Sequence, residues 1–388
     1  MPMFVAFPQA LTARLRNGVP LLLALIAALA VASLMLAAMN ADIGAAYSAL
    51  IQGAFGSENA TAETLVKAIP ILFVAIGICV AFRASVINIG GEGQMIFGAL
   101  AGTTITISLG ERLGGLVIPV ALAGGFLAGG LYGGLAGTLK AYFNVNEILS
   151  TIMLNQVAVQ MMNYLLNGPM LDPAAAGSNN IPKTARIVEA AELPRLMIGT
   201  LFERTRLHYG LIIAIMLAAL IFVLLWRTSI GYRIRAVGYN DRAARYAGIN
   251  VKRQTILAMF LAGGCAGLAG VVQVLGMQYR LQTDGSPTGF TGNAGFNGIV
   301  AALFGGLNPF GAIPASIFFG GLLVGAQTMQ RAVGIPAALV TTINGLIIVF
   351  VVSSRYFTQR RSGQITPPSQ PEPQELAGVA IPVTEATP

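Results

Sequence analysis

The sequence predicts an all-α integral membrane protein with about ten transmembrane helices, and three observations lead to that fold class. Hydrophobic residues make up 55% of the 388 residues and charged residues only 10%, whereas a soluble domain carries about 25% charged residues. Long uncharged apolar runs recur along the chain. The 47 glycines are typical of helices that pack closely in lipid, because small residues let their backbones approach.

The uncharged runs give the predicted spans in order. The first covers residues 19–39 and exceeds the roughly 7–15 apolar residues of a signal peptide, so we interpret it as a retained anchor. The uncharged stretch 285–330 is too long for one span of about 20 residues, and its turn signal at Asn308-Pro309 divides it in two. The other predicted spans are 65–82, 93–109, 116–139, 148–166, 207–226, 254–277 and 335–354.

The basic residues predict the orientation of these spans. With the N-terminus inside, fourteen of the 23 lysines and arginines lie on the cytoplasmic side, as the positive-inside rule favours. They are Arg14, Arg16, Arg83, Lys140, seven residues of the loop 227–253, Arg355, Arg360 and Arg361. This arrangement gives a cytoplasmic segment 1–18, a transmembrane domain 19–354 with an extracytoplasmic loop 167–206, and a disordered cytoplasmic Pro-rich tail 355–388.

Two glycine-rich segments interrupt the apolar pattern, one in each half of the chain. Glycines surround Glu92 between Asn88 and Gln94, and they also punctuate the segment that contains Asn293 and Asn297. We interpret the first as a broken helix that restarts near Glu92, whose carboxylate stabilises the new N-terminus. The alternative is that Glu92 only caps a helix at the cytoplasmic interface. Paired interruptions of this kind indicate the central pathway of a transporter.

A polar face is predicted on the fifth span. At 100° per residue, Gln156, Gln160 and Asn163 fall within about 60° of one another. Amides on a bilayer helix need hydrogen-bonding partners, which are either neighbouring helices or a polar solute. Gln273 and Gln327 are isolated intramembrane amides with the same two interpretations.

The sequence predicts no catalytic residue, metal ligand set or cofactor in this chain. None of its four lysines follows a glycine, so it lacks the phosphate-binding loop of an ATPase. Cys79, Cys265 and His208 are scattered along the chain, whereas a zinc site needs three or four clustered ligands. The net charge of +8 is explained by membrane orientation and does not predict nucleic-acid binding.

The basic loop contains a short segment that favours a helix. Ala243, Ala244 and Ala247 are good helix formers, and Gly248 is a typical terminator. Arg242 and Arg245 could bind an acidic groove of a soluble partner; alternatively, they only follow the positive-inside bias or contact lipid head groups. We interpret the segment as a rigid element presented to a cytoplasmic protein.

Three motifs together resemble the permease subunits of ABC importers in the ribose, branched-chain amino acid and nucleoside group. They are Asn88-Ile-Gly-Gly-Glu-Gly-Gln94, Gly238-Tyr-Asn-Asp-Arg-Ala-Ala-Arg-Tyr-Ala-Gly-Ile249 and Gly295-Phe-Asn-Gly-Ile299. The resemblance runs from about residue 15 to 355. Residues 88–94 and 146–155 look most like the nucleoside and simple-sugar branch.

The resemblance implies a type II importer-like fold in the bacterial inner membrane, with both termini cytoplasmic. It implies a core of two permeases, usually different proteins in this branch, with ATP bound by cytoplasmic ATPase subunits. An extracytoplasmic binding protein delivers the solute. The segment that resembles the ATPase-docking segment comprises Asn240, Asp241, Arg242, Ala243, Ala244, Arg245, Tyr246 and Gly248.

The expected function is therefore ATP-driven import of a small polar solute, with a nucleoside favoured over a simple sugar. The residues predicted to form the translocation path are Asn88, Glu92, Gln94, Gln156, Gln160, Asn163, Asn293 and Asn297. One alternative is a self-contained secondary carrier or channel with Glu92 as the coupling group. Another is a purely structural membrane subunit.

Overall fold

A computed structural model describes residues 23, 26–175, 181–196, 205–286, 289–336, 342, 345–346 and 349–350. The predicted segment 1–18, the tail 355–388 and most of the predicted span 335–354 lie outside this part of the chain. Twelve α-helices with described bounds lie within it. They are α1 Ile26–Ala38, α2 Ile43–Phe55, α3 Glu58–Arg83, α4 Gly91–Leu113, α5 Val117–Phe143, α6 Glu147–Leu166, α7 Gly210–Arg227, α8 Ser229–Tyr239, α9 Asp241–Tyr246, α10 Val251–Gln273, α11 Ala294–Phe304 and α12 Pro309–Val333.

The helices confirm the predicted class of an all-α, multi-span membrane protein. Among the described residues, five helical segments are long and apolar enough to cross a bilayer. One of them, Gly91–Phe143, contains both α4 and α5, which are separated by a single 3₁₀ turn at Gly114–Leu116. The others are Glu58–Arg83, Gly210–Arg227, Val251–Gln278 and Pro309–Val333.

Two elements differ from the predicted spans. The helix α2 was not predicted; Asp42 caps it by accepting a hydrogen bond from the backbone N–H of Ala45, and its 13 residues cover only about 20 Å. The predicted span before Asn308 is reduced to the 11 residues of α11. The uncharged run continues upstream, but positive φ angles at Gly285, Gly292 and Asn293 interrupt the helix there.

Two helices form the centre of the protein, α3 and α10. Most residues of α3 between Thr64 and Ala81 are buried, around the whole circumference of the helix, as expected of a helix enclosed by others. The helix α10 packs against α4 and α5 through small residues. A Cβ atom at Gly129 of α5 would lie 2.5 Å from the carbonyl oxygen of Gly263 in α10. Glycine on both helices therefore allows backbone-to-backbone contact.

The loop between α6 and α7 folds over the C-terminal end of α10. The backbone N–H of Leu193 donates to the carbonyl of Leu275 (2.9 Å), and that of Thr184 donates to the carbonyl of Leu281 (2.9 Å). The loop therefore pairs several of its backbone groups with the segment that links α10 to α11. This segment, residues 274–293, leads directly into the predicted second interruption.

Candidate translocation site and docking loop

The helix α4 begins inside the membrane-spanning layer. A Cβ atom at Gly91, the first residue of α4, would lie 3.2 Å from the Cγ1 atom of Val74. Val74 precedes Arg83, the last residue of α3, by nine positions, or about 13 Å along the helix. The chain therefore turns back after Arg83 and re-enters before α4 starts. This arrangement confirms the broken helix predicted around Glu92.

The helix α11 begins at the same depth, with its N-terminus facing that of α4. A Cβ atom at Gly298 would lie 2.6 Å from Val74 Cγ1. The Glu92 carboxylate oxygen Oε1 accepts hydrogen bonds from the backbone N–H groups of Gly295 (2.9 Å) and Phe296 (3.3 Å). Glu92 is 1% exposed. One buried carboxylate thus lies between two helix N-termini, whose partial positive charges stabilise it. We call this contact the α4–α11 junction.

The junction adds a partner that the sequence did not predict for Glu92. The sequence predicted that Glu92 stabilises the start of its own helix. Glu92 does lie in the first turn of α4, but the backbone N–H groups bonded to its side chain belong to α11, about two hundred residues later in the chain. A single sequence carries no signal for this pairing.

Asn88 and Gln94 pair with each other beside the junction. Asn88 Nδ2 donates to Gln94 Oε1 (2.9 Å), and Gln94 Nε2 donates to Asn88 Oδ1 (3.0 Å). Asn88 Oδ1 also accepts from the backbone N–H of Gly90 (2.9 Å). Both side chains are buried. They therefore stabilise the re-entrant segment 84–90 and the first turn of α4 from inside.

Two residues of α6 that were not among the predicted path residues hold the same segment. Asn155 Nδ2 donates to the carbonyl of Ile89 (2.9 Å), and Asn155 Oδ1 accepts from the backbone N–H of Gly93 (2.8 Å). Thr151 lies one turn earlier and accepts a longer hydrogen bond from the N–H of Ile89 (3.4 Å). Their i, i+4 spacing was a detectable signal, because it places both polar side chains on one face of the helix.

The amides of the predicted polar face of α6 lie in two different environments. Asn163 Oδ1 accepts from the hydroxyl of Thr283 (2.6 Å), which ties α6 to the segment before α11. Gln156 and Gln160 are exposed, on a face of α6 that the described part of the chain leaves uncovered. At the start of α11, Asn293 is exposed and Asn297 is buried. Exposed amides therefore border the junction on two helices.

The basic loop folds into α8 and α9, and α9 matches the predicted short helix. Asn240 Oδ1 accepts from the N–H of Ala243 (3.0 Å) and caps its start. After its end, Gly248 adopts a φ angle of +78°, which suits glycine. Within α9 only Ala244 is buried, and Tyr246 is 94% exposed. The helix therefore presents almost its entire surface outward.

The loop contacts the end of α3 directly. Gly238 of α8 lies so close to the carbonyl oxygen of Arg83 that a Cβ atom there would clash with it. The hydroxyl of Ser85 donates to the carbonyl of Gly238 (3.1 Å). Arg83 also donates to the carbonyl of Leu307 (3.2 Å) and stacks over Trp226. The loop is thus attached at the point where the re-entrant segment begins.

The fold and the site define a multi-pass helical membrane protein with two distinctive features. Two broken helices meet at a buried carboxylate, and a separate short helix is exposed on a basic loop. Residues 60–352 match the family described as the permease component of the branched-chain amino acid transport system. No solved structure matches the chain at a comparable level.

Named relatives extend over most of the chain. The guanosine ABC transporter permease NupP of Bacillus subtilis (strain 168) is 34% identical over 86% of this chain and 92% of its own length. The glucose ABC transporter permease TsgB13 of Haloferax volcanii is 34% identical, covering 90% of each chain. The nucleoside ABC transporter permease NupB of Lactococcus lactis subsp. cremoris is 31% identical over 79% of this chain and 82% of its own.

The chain therefore belongs to the family of ABC transporter permeases that contains the branched-chain amino acid permease component. It is a multi-pass membrane protein and a transport component rather than an enzyme. Family membership implies that it functions together with an ATPase and a binding protein.

Proposed function

We propose that the chain is one of two permeases of an ATP-driven importer that carries nucleosides, with simple sugars as the second choice of solute. Two of the relatives described above are named for guanosine or nucleoside transport and one for glucose transport. In this proposal the α8–α9 loop faces the cytoplasm, as do both termini. The N-terminal and C-terminal ends of the chain lie outside the described residues, and the charge distribution supports their placement.

The observation that carries the proposal is the exposure of α9. A six-residue helix that buries only one alanine gains little stability from packing, and short isolated helices are marginally stable in water. Contact with a partner protein would stabilise it. Its caps at Asn240 and Gly248 hold it in shape, while Arg242, Arg245 and Tyr246 remain exposed. These side chains suit contact with an acidic groove on the ATPase.

The second permease is proposed to cover the open face of α6. Gln156 and Gln160 are exposed there, and amides facing lipid would lack hydrogen-bonding partners. Together with Asn293 at the start of α11, they would line a polar path between the two permeases. The family branch supports a second chain of different sequence.

The proposed coupling follows the contacts of the loop. A displacement of α9 by the ATPase would move α8, and through Gly238 and Ser85 it would reach the end of α3. The re-entrant segment starts there and leads to Glu92, which holds α11. A rigid-body shift of this group would alternate access to the path.

Gly248→Asp tests the docking role. It places a carboxylate in the docking loop, and its Cβ atom would meet no other atom within 4 Å. We expect the variant to insert in the membrane but to lose ATP-driven uptake. Gly334→Asp is the matched control, because Gly334 also follows a helix in the left-handed region and has open surroundings but lies at the end of α12. Wild-type uptake by Gly248→Asp, or equal loss in Gly334→Asp, would contradict the assignment.

A further inference from the structure

A cavity of about 200 Å³ lies between α3, α12, the end of α10 and the segment before α11. Its lining includes Lys67 and Pro70 of α3, Gln273 of α10 and Gln327 of α12. Ala294, the first residue of α11, also lines it, so the cavity reaches the α4–α11 junction. Lys67 precedes Val74 by seven residues, or about 10 Å along α3. The cavity therefore extends from the junction towards the end of the protein opposite the docking loop.

The cavity wall offers both hydrogen-bond donors and acceptors. Among the described residues the Lys67 ammonium group takes part in neither of the two ion pairs. Proline has no backbone N–H, so Pro70 cannot form the helical hydrogen bond to the carbonyl of Val66, which also lines the cavity. The Gln327 amide is exposed. The side-chain amide of Gln273 donates to the carbonyl of Phe290 and so orders the wall opposite α3.

The chemistry of the wall selects a class of ligand. An ammonium group within a membrane span is costly unless it faces a polar partner or water. A phosphate would favour several cationic partners, and Lys67 is the only basic residue in the described lining. A hydroxyl group both accepts and donates, so it can accept from Lys67 and donate to the amide oxygen of Gln327, which also lines the cavity. The cavity holds the volume of roughly six to seven liquid waters at about 30 Å³ each, enough for one small ring.

We propose that this cavity is a subsite for the ribose or hexose ring of the transported solute, with Lys67 donating to ring hydroxyls. The inference rests on the proposed import of nucleosides or sugars and assigns the ring to a position within one permease.

The first test compares uptake of guanosine and 2′,3′-dideoxyguanosine by the complete transporter. Lys67→Met keeps the length of the side chain and removes its donors. We expect the preference for guanosine over the dideoxy analogue to fall about tenfold, since a hydrogen bond to a charged group contributes this much or more. The binding protein is the same in both cases, so a changed ratio arises in the membrane. For the sugar arm, D-glucose replaces guanosine and its deoxy analogues replace dideoxyguanosine.

The matched control is Lys183→Met, which removes a lysine outside the cavity. It should leave the ratio unchanged. An unchanged ratio in Lys67→Met with normal uptake would refute the subsite but not the import function. If the wild-type transporter took up neither guanosine nor glucose, the proposed function would itself be refuted.

A labelling test covers the case in which Lys67→Met inactivates the protein. The native cysteines, Cys79 and Cys265, are 0% exposed, so Lys67→Cys adds one reactive thiol. We expect a water-soluble maleimide to label it, and guanosine or glucose, but not free guanine, to slow the labelling. Lys183→Cys should be labelled without protection. Labelling of Lys67→Cys that neither solute slows would overturn the proposal, as would equal protection by guanine.

Discussion

Replacing Glu92 by alanine should weaken the contact between the two helix ends that its carboxylate joins. Hydrogen bonds to a charged acceptor contribute about 1.5–3 kcal/mol each. The bond from Gly295 is well formed at 2.9 Å, and the bond from Phe296 is longer at 3.3 Å and therefore weaker. Removal of a buried charge recovers part of this loss. We expect a net loss of about 3 kcal/mol in the free energy of unfolding for Glu92→Ala.

The glutamine variant separates the effect of charge from that of hydrogen bonding. A neutral oxygen accepts hydrogen bonds with roughly half the strength of an ionised one, so Glu92→Gln should lose about half as much stability as Glu92→Ala. The control is Glu147→Ala, because Glu147 lies in the first turn of α6 and forms a partly exposed ion pair with Lys140 (2.9 Å). Such a pair contributes at most about 1 kcal/mol.

The assay is thermal unfolding of the purified, detergent-solubilised protein. We expect Glu92→Ala to lower Tm by about 4 °C, Glu92→Gln by about 2 °C, and Glu147→Ala by about 1 °C or less. If Tm were unchanged in both Glu92 variants while uptake lost its dependence on an ion gradient, the structural role would be wrong. Glu92 would then be the coupling group of a secondary carrier.

Two further predictions concern packing and pH. Gly263→Val should prevent recovery of monodisperse protein, because its Cβ atom would clash with the carbonyl oxygen of Gly129 on α5; Gly115→Val, with no atom within 4 Å of the added carbon, should purify normally. Burial lowers the pKa of His208, in the loop before α7, from 6.5 to about 4. The unfolded chain therefore binds the proton more tightly, and stability that is present above about pH 6.5 should decrease as the pH falls towards 4, by about 2 kcal/mol at pH 5. Unfolding measured against pH should lose this slope in His208→Asn, whose Oδ1 atom can take the place of His208 Nδ1 as acceptor for the N–H of Gly210.

The sequence predicted the elements better than their contacts. The uncharged runs located α3, α4, α5 and α10 because charge is excluded from bilayer helices. The same signal failed at α11, since an uncharged run does not distinguish a complete span from a half-helix preceded by irregular backbone. The cause is local, in the positive φ angles at Gly292 and Asn293.

For the predicted site residues, too, local properties were predicted better than contacts between distant parts of the chain. Local properties, such as the short helix α9 and its end at Gly248, follow from a few neighbouring residues and were predicted. Asn88 and Gln94 were predicted to line a path; the structure adds that they form a buried pair joining the re-entrant segment to the first turn of α4. Hydrogen bonds such as that from Gly295 to Glu92 join residues about two hundred positions apart, which no single-sequence periodicity reveals.

The distribution of hydrogen bonds indicates which parts of the protein should move together. The starts of α4 and α11 are joined through Glu92, and the middle of α6 is joined to the same segment through Asn155. These three elements form one connected group. The helix α9 has no comparable side-chain tie among the described residues; it contacts α8 and α10, and α8 meets the end of α3 at the close contact between Gly238 and Arg83. In the proposed coupling, a force applied at α9 would reach this group through α8 and α10, and we expect the group to respond as a unit rather than helix by helix.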